Sequence, residues 1–148
     1  MTSTKRRLKS ERGAELIEFA LVLPVLLMIV LGIVDFGFLF QRMQVMTNAA
    51  REGARMAVLQ GYATADVEAR AKAFVQTGGV PTTLTNPAVQ VTNVTIPTGA
   101  GGPTMTGKRV VVTYTHQYLF IGPLAGWFGG SFTSVPVRGV AIMRSEVQ

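Results

Sequence analysis

Two carboxylates, Glu15 and Glu18, lie at the beginning of a long apolar stretch and are the first candidates for chemistry in this sequence. Their spacing of three residues puts both on one face of a helix. A helix N-terminus favours anions because its first N–H groups are unpaired, which is an ordinary explanation for both residues. Glu18, however, stands among apolar neighbours, and an ionisable residue inside a membrane is costly and is by default a functional candidate.

The rest of the sequence contains no recognisable catalytic pattern. His116 is the only histidine and there is no cysteine, so a metal would find no second imidazole and no thiolate. The carboxylates expected in the folded part are scattered, at Glu52, Asp66, Glu68 and Glu146, and no phosphate loop or nucleophile elbow is present. We therefore predict no enzymatic activity, no cofactor and no metal, with His116 in a structural role.

The stretch that follows the two carboxylates is long enough to cross a membrane. From Phe19 to Val34 no residue is ionisable, and after Asp35 the apolar character continues to Phe40. At ~1.5 Å per residue a helix from Phe19 to Phe40 is about 33 Å long, against ~30 Å for a hydrocarbon core. We predict a transmembrane helix over residues 14–40.

The distribution of charge predicts the orientation of that helix. The formal net charge is +6, and the first thirteen residues hold five basic side chains, Lys5, Arg6, Arg7, Lys9 and Arg12. Basic residues beside a span are retained on the cytoplasmic side. Residues 1–13 are thus expected to form a cytoplasmic leader, with residues 41–148 outside the cytoplasm and no nucleic-acid partner.

Two residues interrupt the apolar helix. Pro24 removes a backbone donor and clashes with the preceding turn, which predicts a kink. Asp35 is costly near the end of a span, and three roles remain open. It could cap the following segment, mark the outer membrane interface, or contact Arg42 of another subunit; we favour the interface.

The remaining residues suffice for one small domain. Apolar residues at helical spacing extend the first helix as an amphipathic helix over 41–60, and a second helix is predicted over 64–76. Three strands follow, over 88–97, 109–119 and 132–143, and the phase of the apolar residues predicts a bulge at Thr92-Asn93. The predicted fold is α+β, a small antiparallel sheet packed on the first helix.

Three further features of this domain are informative. Thr98–Gly107 is predicted to be a Gly/Pro loop. Pro136 places the start of the third strand either at an edge of the sheet or in the first residues of pairing. Phe120–Gly130 is apolar but rich in glycine and proline. It either covers the core, which we favour, or presents Trp127 and Phe128 to a membrane surface or a partner.

The beginning of the chain resembles a known family. Gly13-Ala14-Glu15-Leu16-Ile17-Glu18-Phe19 is similar to the processing site of type IV-like prepilins in Tad (tight adherence) pilus systems. With the span closing on Asp35-Phe36-Gly37 and the segment AAREGARMAV at 49–58, it resembles the TadE family of minor pseudopilins. The resemblance covers the first sixty residues well and the remainder loosely.

This resemblance implies a function in pilus assembly. A prepilin peptidase would cleave after Gly13, making Ala14 the first mature residue and Glu18 the fifth. Removal of the leader deletes five cations, each worth ~1 kcal/mol near an anionic membrane surface. Glu18 would then pair with the new amine of Ala14, in its own chain or the next subunit, with Glu15 as a competing partner.

The implied partners are other pilins or pseudopilins, the pilus platform proteins in the inner membrane, the peptidase and membrane lipid. The segment REGAR is either a contact face for another subunit or a solvated helix face; its candidate residues are Arg51, Glu52 and Arg55. Glu52 and Arg55 are three residues apart and could form an ion pair. Two other functions remain open: a permanently anchored accessory or binding module that is never cleaved, and a soluble domain behind an ordinary secretory signal.

Overall fold

A computed structural model describes residues 4–81, 86–97, 99, 102, 104–127, 129–130 and 133–145, with side chains from Gly13 onward except those of Leu124 and Trp127. The order of elements is α1 (Thr4–Ala57), α2 (Thr64–Thr77), β1 (Ala88–Pro97), β2 (Thr104–Gln117), α3 (Ile121–Trp127) and β3 (Ser134–Arg144). A long apolar helix, a second helix and a three-stranded antiparallel sheet confirm the predicted α+β class.

Helix α1 runs without interruption through the apolar stretch and into the folded head. Its 54 residues correspond to about 80 Å at ~1.5 Å per residue. Pro24 lies inside it. The helix ends at Ala57, three residues before the predicted end, and Gly61 takes a φ of 89°, a conformation that glycine adopts without a steric penalty. The chain can therefore turn back along α1 into the second helix.

Helix α2 matches its predicted span of 64–76 to within one residue. The backbone N–H of Ala63 donates to Oδ2 of Asp66 at 2.9 Å, so the acidic side chain in the first turn satisfies a backbone donor at the helix start. Gly78 closes the C-terminus by donating its N–H to the carbonyl of Phe74 at 2.9 Å. The helix buries one apolar face, formed by Val67, Ala71 and Val75.

The sheet has the order β1-β2-β3 and both pairs are antiparallel. Strand β1 has the predicted bounds, and β3 is an edge strand, one of the two positions that Pro136 indicated. The predicted bulge at Thr92-Asn93 is wrong, because the register runs unbroken from Ala88↔Thr113 to Pro97↔Thr104. The apolar residues after the expected bulge instead lie on the opposite face of the sheet.

The predicted loop Thr98–Gly107 is wrong over its second half. Strand β2 already begins at Thr104, because the residues from Thr104 to Gly107 pair with the end of β1. Residues 98, 100, 101 and 103 lie outside the described part of the chain. Phe120–Gly130 also contains more regular structure than expected, since residues 121–127 form the short helix α3.

The core lies between the second half of α1, helix α2 and one face of the sheet. Its buried members on the helices and strands are Met46, Ala49, Ala50, Ala54, Val67, Ala71, Val75, Val89, Val110, Val112, Tyr114 and Val137. Small residues let the elements approach closely: a Cβ on Gly139 would overlap the backbone carbonyl of Met46. Strand β3 therefore rests directly on the backbone of α1.

Candidate functional site

The predicted processing segment lies on the exposed part of α1. Ala14, Glu15 and Glu18 are exposed, and a Cβ on Gly13 would meet no atom within 4 Å. Among the described side chains, Glu15 and Glu18 have no ion-pair partner. In the uncleaved chain the nitrogen of Ala14 is a peptide nitrogen inside the helix, so the pairing of Glu18 with an amine stays a prediction.

The apolar stretch of α1 has the properties of a membrane span. Within Gly13–Ala57 it contains a window with a mean hydropathy of 2.8, none of which is buried against the rest of the chain. Leu21 is 73 % exposed and Ile33 is 68 % exposed. Side chains of this type are stable in such an arrangement when lipid surrounds them. One long apolar N-terminal helix fits a membrane anchor.

Asp35 lies at the junction between this stretch and the head. Its side chain is fully buried. Oδ1 accepts a hydrogen bond from the backbone N–H of Leu119 at 3.0 Å, and Oδ2 accepts from Phe120 at 2.9 Å and Ile121 at 2.7 Å. The carboxylate therefore caps the N-terminus of α3, where unpaired N–H groups favour an anion. It does cap a segment, but one that lies far along the chain from the helix that carries it.

Arg42, two turns after Asp35, is also buried, at 8 % exposure. Its Nη1 donates a short hydrogen bond to Nδ1 of His116, and its guanidinium carbon lies 5.8 Å from the ring centroid of Tyr114. Because a guanidinium only donates, Nδ1 of His116 accepts and the proton of the neutral ring is on Nε2. The structure engages Arg42 within its own chain, where the sequence also allowed a contact with a second subunit.

His116 is fully buried beneath these groups. The ring of Tyr118 contacts it edge-on at a centroid distance of 5.1 Å, and Phe36 contacts Tyr118 at 6.4 Å. Burial lowers the pKa of His116 below its usual 6.5, the Arg42 cation lowers the pKa further, and the Asp35 carboxylate opposes both. A neutral His116 thus joins β2 to α1, which is a structural role.

The candidate contacts in the segment REGAR line two grooves of the folded chain. Arg51 lines a shallow groove of about 470 Å³ on the exposed side of α1, together with Phe40, Met43, Gln44, Thr47 and Asn48. Glu52 and Arg55 line a second groove of about 340 Å³. Glu52 pairs with Arg70 of α2 at 3.0 Å and not with Arg55, so its partner comes from the tertiary fold.

The junction of Asp35, Arg42 and His116 was only partly visible in the sequence. Asp35 is recognisable as an ionisable residue in an apolar stretch, but its three donors lie more than eighty positions further along the chain. Alternation along β2 offered a signal for His116, since it shares the helix-facing side with Val110, Val112 and Tyr114. Within the described residues, no group of three or more metal-ligating side chains comes together.

Comparison with known proteins finds a related family for the first part of the chain. Residues 13–55 match the family model described as TadE-like protein. No curated protein and no solved structure gives a significant match. The matched residues begin at Gly13, include the apolar stretch and Asp35, and end in the half of α1 that packs under the sheet. The resemblance to the TadE-like family is thus confirmed for residues 13–55.

Proposed function

We propose that this Tad pilus-associated protein is a minor pseudopilin that takes part in the assembly or priming of a Tad/Flp-type pilus for surface adherence. Its family is not known for enzymatic activity. In this function it inserts as a single-pass protein of the inner membrane, with residues 1–13 in the cytoplasm and the pilin-like head outside. A prepilin peptidase cleaves after Gly13, and the mature chain joins the pilus.

One observation carries the proposal: α1 is a single helix with an exposed apolar half and a half packed into the head. Such a chain can leave the lipid only if another apolar surface replaces it. Neighbouring pilins or pseudopilins offer that surface in the form of their own helices. The groove lined by Phe40, Met43 and Arg51 continues the exposed side of α1 above the span and supports a helix contact there.

Glu18 would make the transfer of α1 from lipid into the pilus specific. Cleavage after Gly13 converts a peptide nitrogen into an α-amine, which is a cation at neutral pH. A carboxylate that has left water is strongly destabilised without a partner, and an amine at the membrane boundary satisfies it. Pairing of Glu18 with Ala14 of the same or the next subunit would fix the axial stagger between subunits. Partners of the chain are then other pilins, platform proteins and the peptidase.

The direct test is the mass of the intact protein after membrane extraction, with and without a cognate prepilin peptidase. The proposal expects a mature chain that begins at Ala14 only when active peptidase is present. A chain that keeps its first thirteen residues beside an active peptidase would contradict processing. It would favour the second candidate, an uncleaved membrane-anchored accessory or binding module of the pilus or secretion machinery.

Glu18→Gln and Glu15→Gln form a matched pair, since both are exposed carboxylates on the same face of α1. We expect Glu18→Gln to abolish piliation while membrane insertion and the abundance of the protein stay normal. Glu15→Gln is expected to keep most piliation. Equal effects of the two substitutions would overturn the specific role of Glu18, and the reverse order would assign the pairing to Glu15.

A further inference from the structure

The surface where the head meets the span is apolar. Residues 119–134 contain no aspartate, glutamate, lysine, arginine or histidine. Leu119 is 53 % exposed and Phe120 is 37 % exposed. On the adjoining part of α1, Phe36 and Phe40 are 48 % and 60 % exposed. Exposed apolar side chains are thus concentrated on both sides of one junction.

The three hydrogen bonds to Asp35 fix the height of this surface along α1. They hold the residues at the start of α3 against the side of the helix at distances of 2.7 to 3.0 Å. From Phe19 to Asp35 the helix rises about 24 Å at ~1.5 Å per residue, less than the ~30 Å of a hydrocarbon core. With Glu18 at the inner boundary, the start of α3 lies at the outer edge of the hydrocarbon or just inside it.

The arrangement also explains how a carboxylate is tolerated at that height. Asp35 is fully buried in protein, and three N–H donors meet its two oxygens. An ionised side chain in a membrane is expensive when it faces lipid, but much less so when protein donors surround it. Leu119 and Phe120, which supply two of those donors, have exposed apolar side chains. The cap is polar on its inner side and apolar on its outer side.

We propose that Leu119 and Phe120, with Phe36, Phe38 and Phe40 of α1, form a membrane-interface collar that inserts into the outer leaflet beside the span. Its partner is lipid, because the collar continues the exposed apolar surface of α1 without a charged residue between them. Phenylalanine and leucine side chains are common on surfaces that lie at the boundary between headgroups and acyl chains. This inference rests on the proposed function only in that α1 crosses the membrane.

The test uses depth-dependent quenching of tryptophan fluorescence in vesicles. Trp127 is the only tryptophan in the sequence, so the full-length Trp127→Phe variant has no tryptophan fluorescence of its own. Leu119→Trp or Phe120→Trp then reports on the collar. Leu26→Trp reports on the lipid-facing span, and Tyr62→Trp, which replaces a 52 % exposed aromatic residue at the far end of the head, is the matched control. The vesicles contain phosphatidylglycerol and phosphatidylcholine with acyl chains brominated at a shallow or a deep position.

The proposal expects blue-shifted emission from tryptophan at both collar positions. Lipids brominated at the shallow position should quench most of that emission. The loss should be smaller with deep bromines. Tyr62→Trp should emit as in water with either lipid. Collar tryptophans that behave like Tyr62→Trp, while Leu26→Trp is quenched by deep bromines, would overturn the collar and leave the span intact. Absence of quenching at Leu26→Trp would instead overturn the membrane insertion on which the proposed function depends.

Discussion

The two halves of α1 are built for different neighbours. From Leu16 to Phe40 the apolar side chains are large and mostly exposed, as in Leu21 at 73 %. From Met46 to Ala54 the inward residues are mostly alanine and are completely buried. Large side chains suit fluid lipid, which fills any gap, whereas a rigid sheet needs small residues to come within contact distance. The size of the apolar side chains therefore indicates whether a part of the helix contacts lipid or the sheet.

The largest expected effect comes from filling the contact in the packed half. Gly139→Ala places a methyl group on the backbone carbonyl of Met46, which no rotamer change can relieve. We expect a loss of about 3 kcal/mol or more in the free energy of unfolding of the head, at the upper end for overpacking. Calorimetry of the detergent-solubilised protein measures this loss.

Gly32→Ala is the matched control in the exposed half, because a Cβ there meets no atom within 4 Å. It should leave the transition of the head unchanged, and alanine is the better helix former. Equal stability of the Gly139 and Gly32 variants would contradict the close contact of β3 with α1.

The next effect concerns the junction between the halves. Asp35→Ala leaves three N–H groups at the start of α3 without their acceptor, and we expect a loss of about 2 kcal/mol in unfolding free energy. Hydrogen exchange should accelerate at the amides of Leu119, Phe120 and Ile121. Asp66→Ala removes an exposed cap with a single hydrogen bond and should cost about 0.5–1 kcal/mol. A larger loss from Asp66→Ala would contradict the assignment of Asp35 as the stronger cap.

A pH effect should appear at the same junction. His116 faces Arg42 and Asp35 of α1 and lies beside Tyr114 and Tyr118 of its own strand region. Because the pKa of His116 is lowered in the folded head, the unfolded chain binds a proton more readily below pH 6.5. This contribution to stability is complete above pH 6.5 and is lost as the pH falls towards the folded-state pKa.

Melting temperatures between pH 7.5 and pH 5 test this sign, above the range in which ordinary carboxylates titrate. We expect the wild-type head to lose stability on acidification over that interval. His116→Gln should start from a lower melting temperature and change less. A His116→Gln variant with the same pH slope as the wild type would assign the effect to other groups.

The smallest effect belongs to the outer surface of the packed half. The Glu52–Arg70 pair is partly exposed, and such pairs contribute about 0.2–1 kcal/mol. A double-mutant cycle with Glu52→Gln and Arg70→Gln should give a coupling energy in this range that decreases with added salt. The cycle of Glu52→Gln with Arg55→Gln should give a smaller coupling energy. A larger coupling energy between Glu52 and Arg55 than between Glu52 and Arg70 would support the Glu52–Arg55 pair that the sequence suggested.

Local signals were sufficient to predict most elements of the fold. Helix α2 and strand β1 follow from the change of apolar period near Gly78 and from the Gly and Pro residues beside them. The bulge prediction failed because it assumed that every apolar residue of β1 faces the core. Val94 and Ile96 lie on the outer face, where Val140 and Ile142 are exposed too. Alternation of apolar and polar residues predicts that a segment is a strand. It does not predict which face of the sheet the helices cover.

The junction required tertiary information. The hydrogen bond between Arg42 and His116 joins residues 74 positions apart, and the donors of Asp35 begin 84 positions after it. No local pattern identifies such partners, because many arrangements of strands on a helix are compatible with the same periodicity. The sequence does indicate the cost of Asp35 near the end of an apolar stretch. A buried polar group predicts that a partner exists, not which residue it is.

The prolines of the sheet restrict how this chain can polymerise. Both β1 and β3 are edge strands, and an open edge is a template on which further strands can add and grow into aggregates. Pro136 lies within β3 and Pro97 ends β1, and proline has no N–H to donate to an added strand. Growth by addition of strands is thus blunted on both sides. Amyloid-like growth of the heads is therefore disfavoured at the high local concentration of a membrane.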